Sequence, residues 1–174
     1  MSDAHTYKMT WKFWIGASIL GALFIAQILL SVLFYNSAGL NIILYCGWIL
    51  LIGTMVLFLF SNVLQKKGGV PEGKSYEGTT FLVDSGIYSV IRHPIYCSFI
   101  LLFIALVCLS QHWFSVLASI PLIISMYWIM IIEEKVTLER FGDAYKRYMQ
   151  NVPRINILLG VYRRLRHQKR EKNR

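Results

Sequence analysis

Two long apolar stretches open the chain. Phe13–Phe34 and Leu40–Phe60 contain no Asp, Glu, Lys or Arg, and each is long enough to cross the roughly 30 Å hydrocarbon core of a bilayer as a helix. The first is too long for a signal-peptide core and no small-residue cleavage site follows it, so it reads as a retained span. Trp11, Trp14 and Tyr35 near its ends suit interfacial anchoring, and Ala17, Gly21 and Ala22 suit close helix packing. Asn36–Gly39 is a turn. A polar loop from 65 to 91, rich in Gly and Lys and holding Pro71, precedes a third apolar segment, Pro94–Leu109. Ser110-Gln111-His112 then turns the chain into a fourth, Trp113–Ile132. So short a turn makes the last two segments a helical hairpin, which brings Arg92-His93 and Glu133-Glu134 to one membrane face. From Lys135 the period changes: Leu138, Phe141, Tyr145, Tyr148, Met149 and Val152 recur at three- and four-residue steps, the mark of an amphipathic helix. Gly142-Asp143 is a possible break in it, Pro153 ends it, and the basic tail from Arg163 is expected to fray or to lie on head groups. The expected fold is an all-α integral membrane protein in one domain over residues 1–174, with spans at 13–34, 40–60, 94–109 and 113–132 and a C-terminal segment over 133–174.

Charge sharpens this picture. Only 16% of the 174 residues are charged, against about a quarter in soluble domains, and 12 of the 18 Lys and Arg lie from Lys135 onward. The net charge of +9 fits basic flanks of apolar spans better than nucleic acid, for which no interleaved basic and aromatic residues appear outside those spans. Lys8, Lys12, Lys66, Lys67, Lys74 and Arg92 flank the same ends of the spans as the basic C-terminal segment, while the other two turns carry no Lys or Arg. The positive-inside rule then puts both termini and the 65–91 loop in the cytoplasm. Cys46, Cys97 and Cys108 sit in or beside apolar segments without a C-x-x-C, and the four histidines are scattered, so neither a disulfide framework nor a metal site is expected.

Arg92-His93-Pro94-Ile95-Tyr96 stands where loop becomes helix. Alone, such an Arg is a snorkelling interface residue; ahead of a helix whose first N–H groups are unpaired, it helps form a place for an anion, and Tyr96 projects toward the same region. Glu133-Glu134, read as the end of the fourth span, opposes the helix dipole there and calls for a partner such as Arg92, ribose hydroxyls or a ligand cation.

These motifs, together with Leu82-Val83-Asp84-Ser85-Gly86-Ile87-Tyr88, Phe141-Gly142-Asp143-Ala144-Tyr145, Tyr148 and Val152-Pro153-Arg154, resemble in order and spacing those of the isoprenylcysteine carboxyl methyltransferases and their prokaryotic relatives. The resemblance covers Phe81 to Arg154. It implies an S-adenosylmethionine-dependent membrane methyltransferase without a dinucleotide-binding domain, and the chain has no G-x-G-x-x-G. It places the adenine near the backbone of Leu82 and Val83 and implies cofactor contacts from Gly86, Tyr88, His93, Pro94, Tyr96 and Glu133 or Glu134. Arg92 and Arg154 become candidates for orienting the methyl acceptor, and Glu134 a candidate base for an amine. Ser98 departs from the pattern, standing where many members have Gly. The implied partners are membrane lipids and a lipophilic acceptor, foremost a carboxylate such as that of an isoprenylated cysteine; a phospholipid amine or a thiol is the alternative. A membrane NADPH-dependent reductase and a non-enzymatic helical scaffold are the rival readings, and the second gives the polar clusters no reason to converge. Oligomeric state is not readable from the sequence.

Overall fold

The computed structural model describes residues 11–67 and 82–172, and all regular structure among them is helical. The residues before Trp11, the loop from 68 to 81 with Pro71, Lys74 and Phe81, the side chains of residues 11–14, 67, 167, 168 and 170–172, and the last two residues lie outside the described part. The elements are α1 (Trp11–Leu33), α2 (Asn41–Lys67), a 3₁₀ turn (Gly86–Ser89), α3 (Pro94–Ser110), α4 (Trp113–Asn151) and α5 (Ile157–Lys172). α1, α2 and α4 are long and apolar enough to cross a membrane, and α3 is a shorter apolar helix of 17 residues, about 26 Å at 1.5 Å per residue. The chain is an all-α integral membrane protein.

α3 packs against α2, α4 and α1, and α1 also packs against α4. Gly47 rather than Gly21 supplies the close crossing: a Cβ at Gly47 would stand 3.1 Å from the Leu109 amide, whereas one at Gly21 would meet nothing within 4 Å. Ile19, Ile25, Ile42, Ile49 and Ile52 face outward, as apolar side chains do where lipid is the solvent. Polar groups inside the bundle pair across helices. The buried Gln27 amide donates to Ser115 Oγ at 2.9 Å, and the Ser31 hydroxyl to the Leu106 carbonyl at 3.1 Å.

At the end away from the Arg92 cluster, the two interhelical turns lock together. Asn36 N–H donates to the Leu109 carbonyl at 2.8 Å and Gln111 Nε2 to Asn36 Oδ1 at 2.8 Å. The His112 ring stacks on Phe34 with centroids 3.9 Å apart. This brace fixes the hairpin and, through it, what meets at the other end.

Three expectations change here. The segment foreseen as a span at 113–132 opens a helix that runs on past Glu133-Glu134 to a kink at Gly142, beyond which a second helical stretch reaches Asn151. Those carboxylates therefore sit within a helix, and opposition to a helix terminus does not explain them. Gly142 (φ 52°, ψ −126°) is where one helix gives way to the next across a kink, a conformation open to a residue lacking Cβ. The tail, expected to fray or to lie on head groups, does not fray but is helical through Lys172, and α2 extends through Lys67, so helix replaces the first residues foreseen as loop.

Candidate functional site

Pro94 occupies the first turn of α3 and His93 its N-cap, so Arg92 and His93 are delivered at the helix mouth. Val152 caps α4 and Pro153 stops it, which turns the chain back across that mouth. The two segments join through backbone: Arg92 N–H donates to the Pro153 carbonyl at 3.0 Å and His93 N–H to the Arg154 carbonyl at 3.2 Å. This brings Arg92, His93 and Arg154 around Glu134, which reaches them from the middle of α4.

Glu134 is the hub, only 5% exposed. Its Oε1 receives Arg92 Nη2 at 3.0 Å, His93 Nε2 at 3.1 Å and Arg154 Nε at 3.1 Å. Arg154 Nη2 closes a two-pronged pair on Oε2. A carboxylate oxygen only accepts, so the His93 nitrogen against it carries the proton. Arg154 Nη1 donates to the Tyr127 hydroxyl at 2.9 Å, and its guanidinium lies over the Tyr127 ring. The hydrogen bonds to Glu134 push the Arg154 pKa above its ordinary value.

The cluster holds two guanidiniums against one saturated carboxylate, and some polar atoms stay unpaired. Arg92 is almost wholly buried, yet its Nε and Nη1 donate to nothing among the described residues. Glu133 stands at the margin with a half-exposed side chain, its Oε2 3.8 Å from His93 Nδ1 and without a hydrogen bond. Unsatisfied buried donors are costly, and a guanidinium so placed has two N–H groups to offer an anion.

The remaining candidates lie around this cluster in different ways. Tyr96 places its ring 5.8 Å from that of His93. Tyr88 is buried, with its carbonyl accepting the Tyr148 hydroxyl at 2.6 Å and its own hydroxyl toward Gln65 of α2. Gly86 packs against Leu64 and gives its carbonyl to Arg164. Leu82 lines a cleft of about 370 Å³ with Asp84, Ser89, Arg147, Tyr148 and Asn151. That cleft does not include Arg92, His93 or Glu134, but Tyr148 in its wall is buried with Tyr145, ring centroids 5.8 Å apart. Val83 is half-buried beside Leu82. Ser98 is buried and bonds its hydroxyl to the Ile95 carbonyl at 2.6 Å, so the departure from Gly leaves no stranded polar group.

Sequence reasoning missed Tyr127 and Gly160. Tyr127 lies seven residues, or two helical turns, before Glu134 and so on the same face, a spacing that becomes visible once α4 is known to be continuous. Gly160 carries no such signal: a Cβ there would fall 1.9 Å from the Val90 carbonyl oxygen, which fixes how closely α5 lies on the segment leading into Arg92.

Residues 42–144 match the family described as phospholipid methyltransferase. The methanethiol S-methyltransferase of Pseudomonas deceptionensis is 27% identical over 122 residues, which are 67% of this chain and 44% of that protein. This chain thus aligns with less than half of the relative's length. No solved structure matches. Arg92, His93, Glu133 and Glu134 all fall inside the family match, Arg154 just beyond it. Since the match takes in more than half of the chain, the protein belongs to the phospholipid methyltransferase family.

Proposed function

We propose that the chain transfers a methyl group from S-adenosylmethionine to a lipophilic acceptor, with a carboxylate as the preferred nucleophile. The observation that carries this reading is the pair of buried, unpartnered donors on Arg92 beside the unpartnered Glu133 oxygen. Together they suit a zwitterion, and the methionyl end of S-adenosylmethionine has both a carboxylate and an ammonium. The residues present therefore fit the cofactor. Arg92 would hold its carboxylate and Glu133 its ammonium, His93 and Tyr96 would wall this part of the site, and the cleft at Leu82, Asp84 and Asn151 supplies apolar and polar surface for a nucleoside.

When bound, S-adenosylmethionine supplies a methyl group already activated by a sulfonium. The protein's remaining tasks are alignment and exclusion of water. Glu134 performs them indirectly. With three cationic or N–H partners it is a poor base, and its work is to hold Arg92, His93 and Arg154 in register. Arg154 borders the half-exposed Tyr127 of α4, and its Nη1 is the arm nearest an acceptor arriving from lipid. A carboxylate needs no deprotonation and matches a guanidinium.

A thiol is the second reading, favoured by the resemblance to the methanethiol S-methyltransferase of Pseudomonas deceptionensis. A thiol would first lose its proton to solvent, and the thiolate left is a nucleophile without a nearby base. We further propose that the cluster faces the cytoplasm, where the cofactor is available, on the strength of the flanking basic residues.

The test is transfer from methyl-labelled S-adenosylmethionine by purified protein, offered a farnesylated cysteine derivative, phosphatidylethanolamine and a long-chain alkanethiol separately. A carboxyl ester releases labelled methanol in alkali; a thioether or an N-methyl product does not. Alkali-labile product on the carboxylate acceptor is the expected result. Alkali-stable product alone would move the acceptor to the thiol or the amine.

A further inference from the structure

We propose that α5 is an in-plane surface helix whose exposed apolar stripe and basic side chains bind an anionic lipid surface, steadying the Gly86–Val90 segment that leads into Arg92. This reading is independent of the acceptor and of the chemistry at Glu134.

α5 has two opposed faces. One is docked on the protein: Gly160 abuts the Val90 carbonyl, Arg164 Nη1 donates to the Gly86 carbonyl at 3.2 Å, and Arg163 Nη1 to the Gln150 carbonyl at 3.1 Å. The other carries Leu158, Val161, Tyr162 and Leu165 at helical spacing, and none is covered. Leu158 is 84% exposed, Tyr162 61% and Leu165 60%. An apolar stripe of this length on a helix otherwise rich in Arg and Lys is the pattern of a helix lying in the head-group region. Arg166 and Lys169 are exposed and, at 100° per residue, continue the stripe at its C-terminal end. They select the charge of the surface, because each Lys or Arg at an anionic bilayer strengthens binding roughly fivefold.

The docked face makes this contact consequential. Val90 is two residues from Arg92 and is buried with Ile91 and Cys97 in a small core that Ile155, just before α5, also covers. The helix therefore touches both strands of chain, 86–92 and 150–155, whose joining builds the Glu134 cluster. Lipid that holds α5 down holds both in place.

Hydrogen exchange read by mass spectrometry tests this on the full chain in nanodiscs of phosphatidylcholine alone or with phosphatidylglycerol at three parts in ten. Amides of 157–166 should exchange about tenfold more slowly in the anionic discs, and those of 86–92 should slow with them. Raising salt from 0.05 to 0.5 M should erase the difference, since the Debye length falls to a few ångströms. R166E/K169E should erase it too, with α3 protected as in the wild type. If charge reversal disturbs the fold, R166Q/K169Q should still reduce the difference by more than half. Equal exchange in both lipids overturns the proposal, as does a difference that survives high salt. Protection of α5 that appears in zwitterionic discs only when two copies share a disc would assign the stripe to a second copy of the chain and also overturn it.

Discussion

Glu134→Gln is the most revealing single substitution. It keeps the shape of the side chain and removes the charge on which Arg92, His93 and Arg154 converge. Its new amide also turns two donors toward guanidiniums that only donate. Breaking a buried ion pair from one side costs about 3–5 kcal/mol. Arg92, with a side chain 8% exposed, bears this in full, whereas Arg154, at 28%, regains some water. We therefore expect about 3 kcal/mol, a large share of a typical total of about 5–15 kcal/mol. Glu133→Gln is the control. Its side chain is 42% exposed and its contact with His93 is 3.8 Å, so a loss under about 1 kcal/mol is expected. Thermal and denaturant unfolding of both variants in one detergent measures the difference. A Glu134→Gln protein that unfolds with the wild type, or one hurt less than Glu133→Gln, would refute the hub.

Arg154→Ala should lower turnover at limiting acceptor by at least tenfold, with cofactor affinity changed little. Lysine should rescue poorly, because it lacks the fork that spans both Glu134 oxygens; normal turnover in the alanine variant would remove Arg154 from the site. Tyr148→Phe deletes the 2.6 Å bond to the Tyr88 carbonyl and should cost about 1 kcal/mol in unfolding; no change would mean that water replaces it freely. Gly160→Ala should lift α5 from Val90 at a cost of about 1–3 kcal/mol, seen as faster exchange over 157–166 with α3 unaffected. Single cysteines at Ser37 or Gln111 should react with an impermeant reagent from outside the cell and one at Arg166 should not; the reverse would invert the proposed orientation.

Much of the site was legible in the sequence because two short apolar arms joined by Ser110-Gln111-His112 must run antiparallel. That alone brings Arg92-His93 to Glu133-Glu134. Which glutamate turns inward was not legible. Adjacent helical residues point about 100° apart, and the rotation of α4 depends on its packing against α3 and on its continuing past the membrane face. Ending that helix at the carboxylates led to a wrong reason for them, since they sit within it. Gly142 was seen as a place where the helix could break or restart, and the kink falls there. The docking of α5 was hidden for a different reason. It depends on the missing side chain of Gly160, and in an amphipathic basic tail a glycine looks like any other loss of helix propensity.

Titration of S-adenosylhomocysteine into the purified wild type and Arg92→Gln, followed calorimetrically with NADPH as a competitor, tests the central claim most directly. Arg92 has two buried donors to give, and a charged hydrogen bond is worth about 1.5–3 kcal/mol. The wild type should bind the adenosyl compound, Arg92→Gln should bind it at least tenfold more weakly, and NADPH should not compete. Equal affinity in the two proteins would contradict the assignment of Arg92 to the cofactor carboxylate. Binding of NADPH without binding of S-adenosylhomocysteine would contradict the methyltransferase site itself.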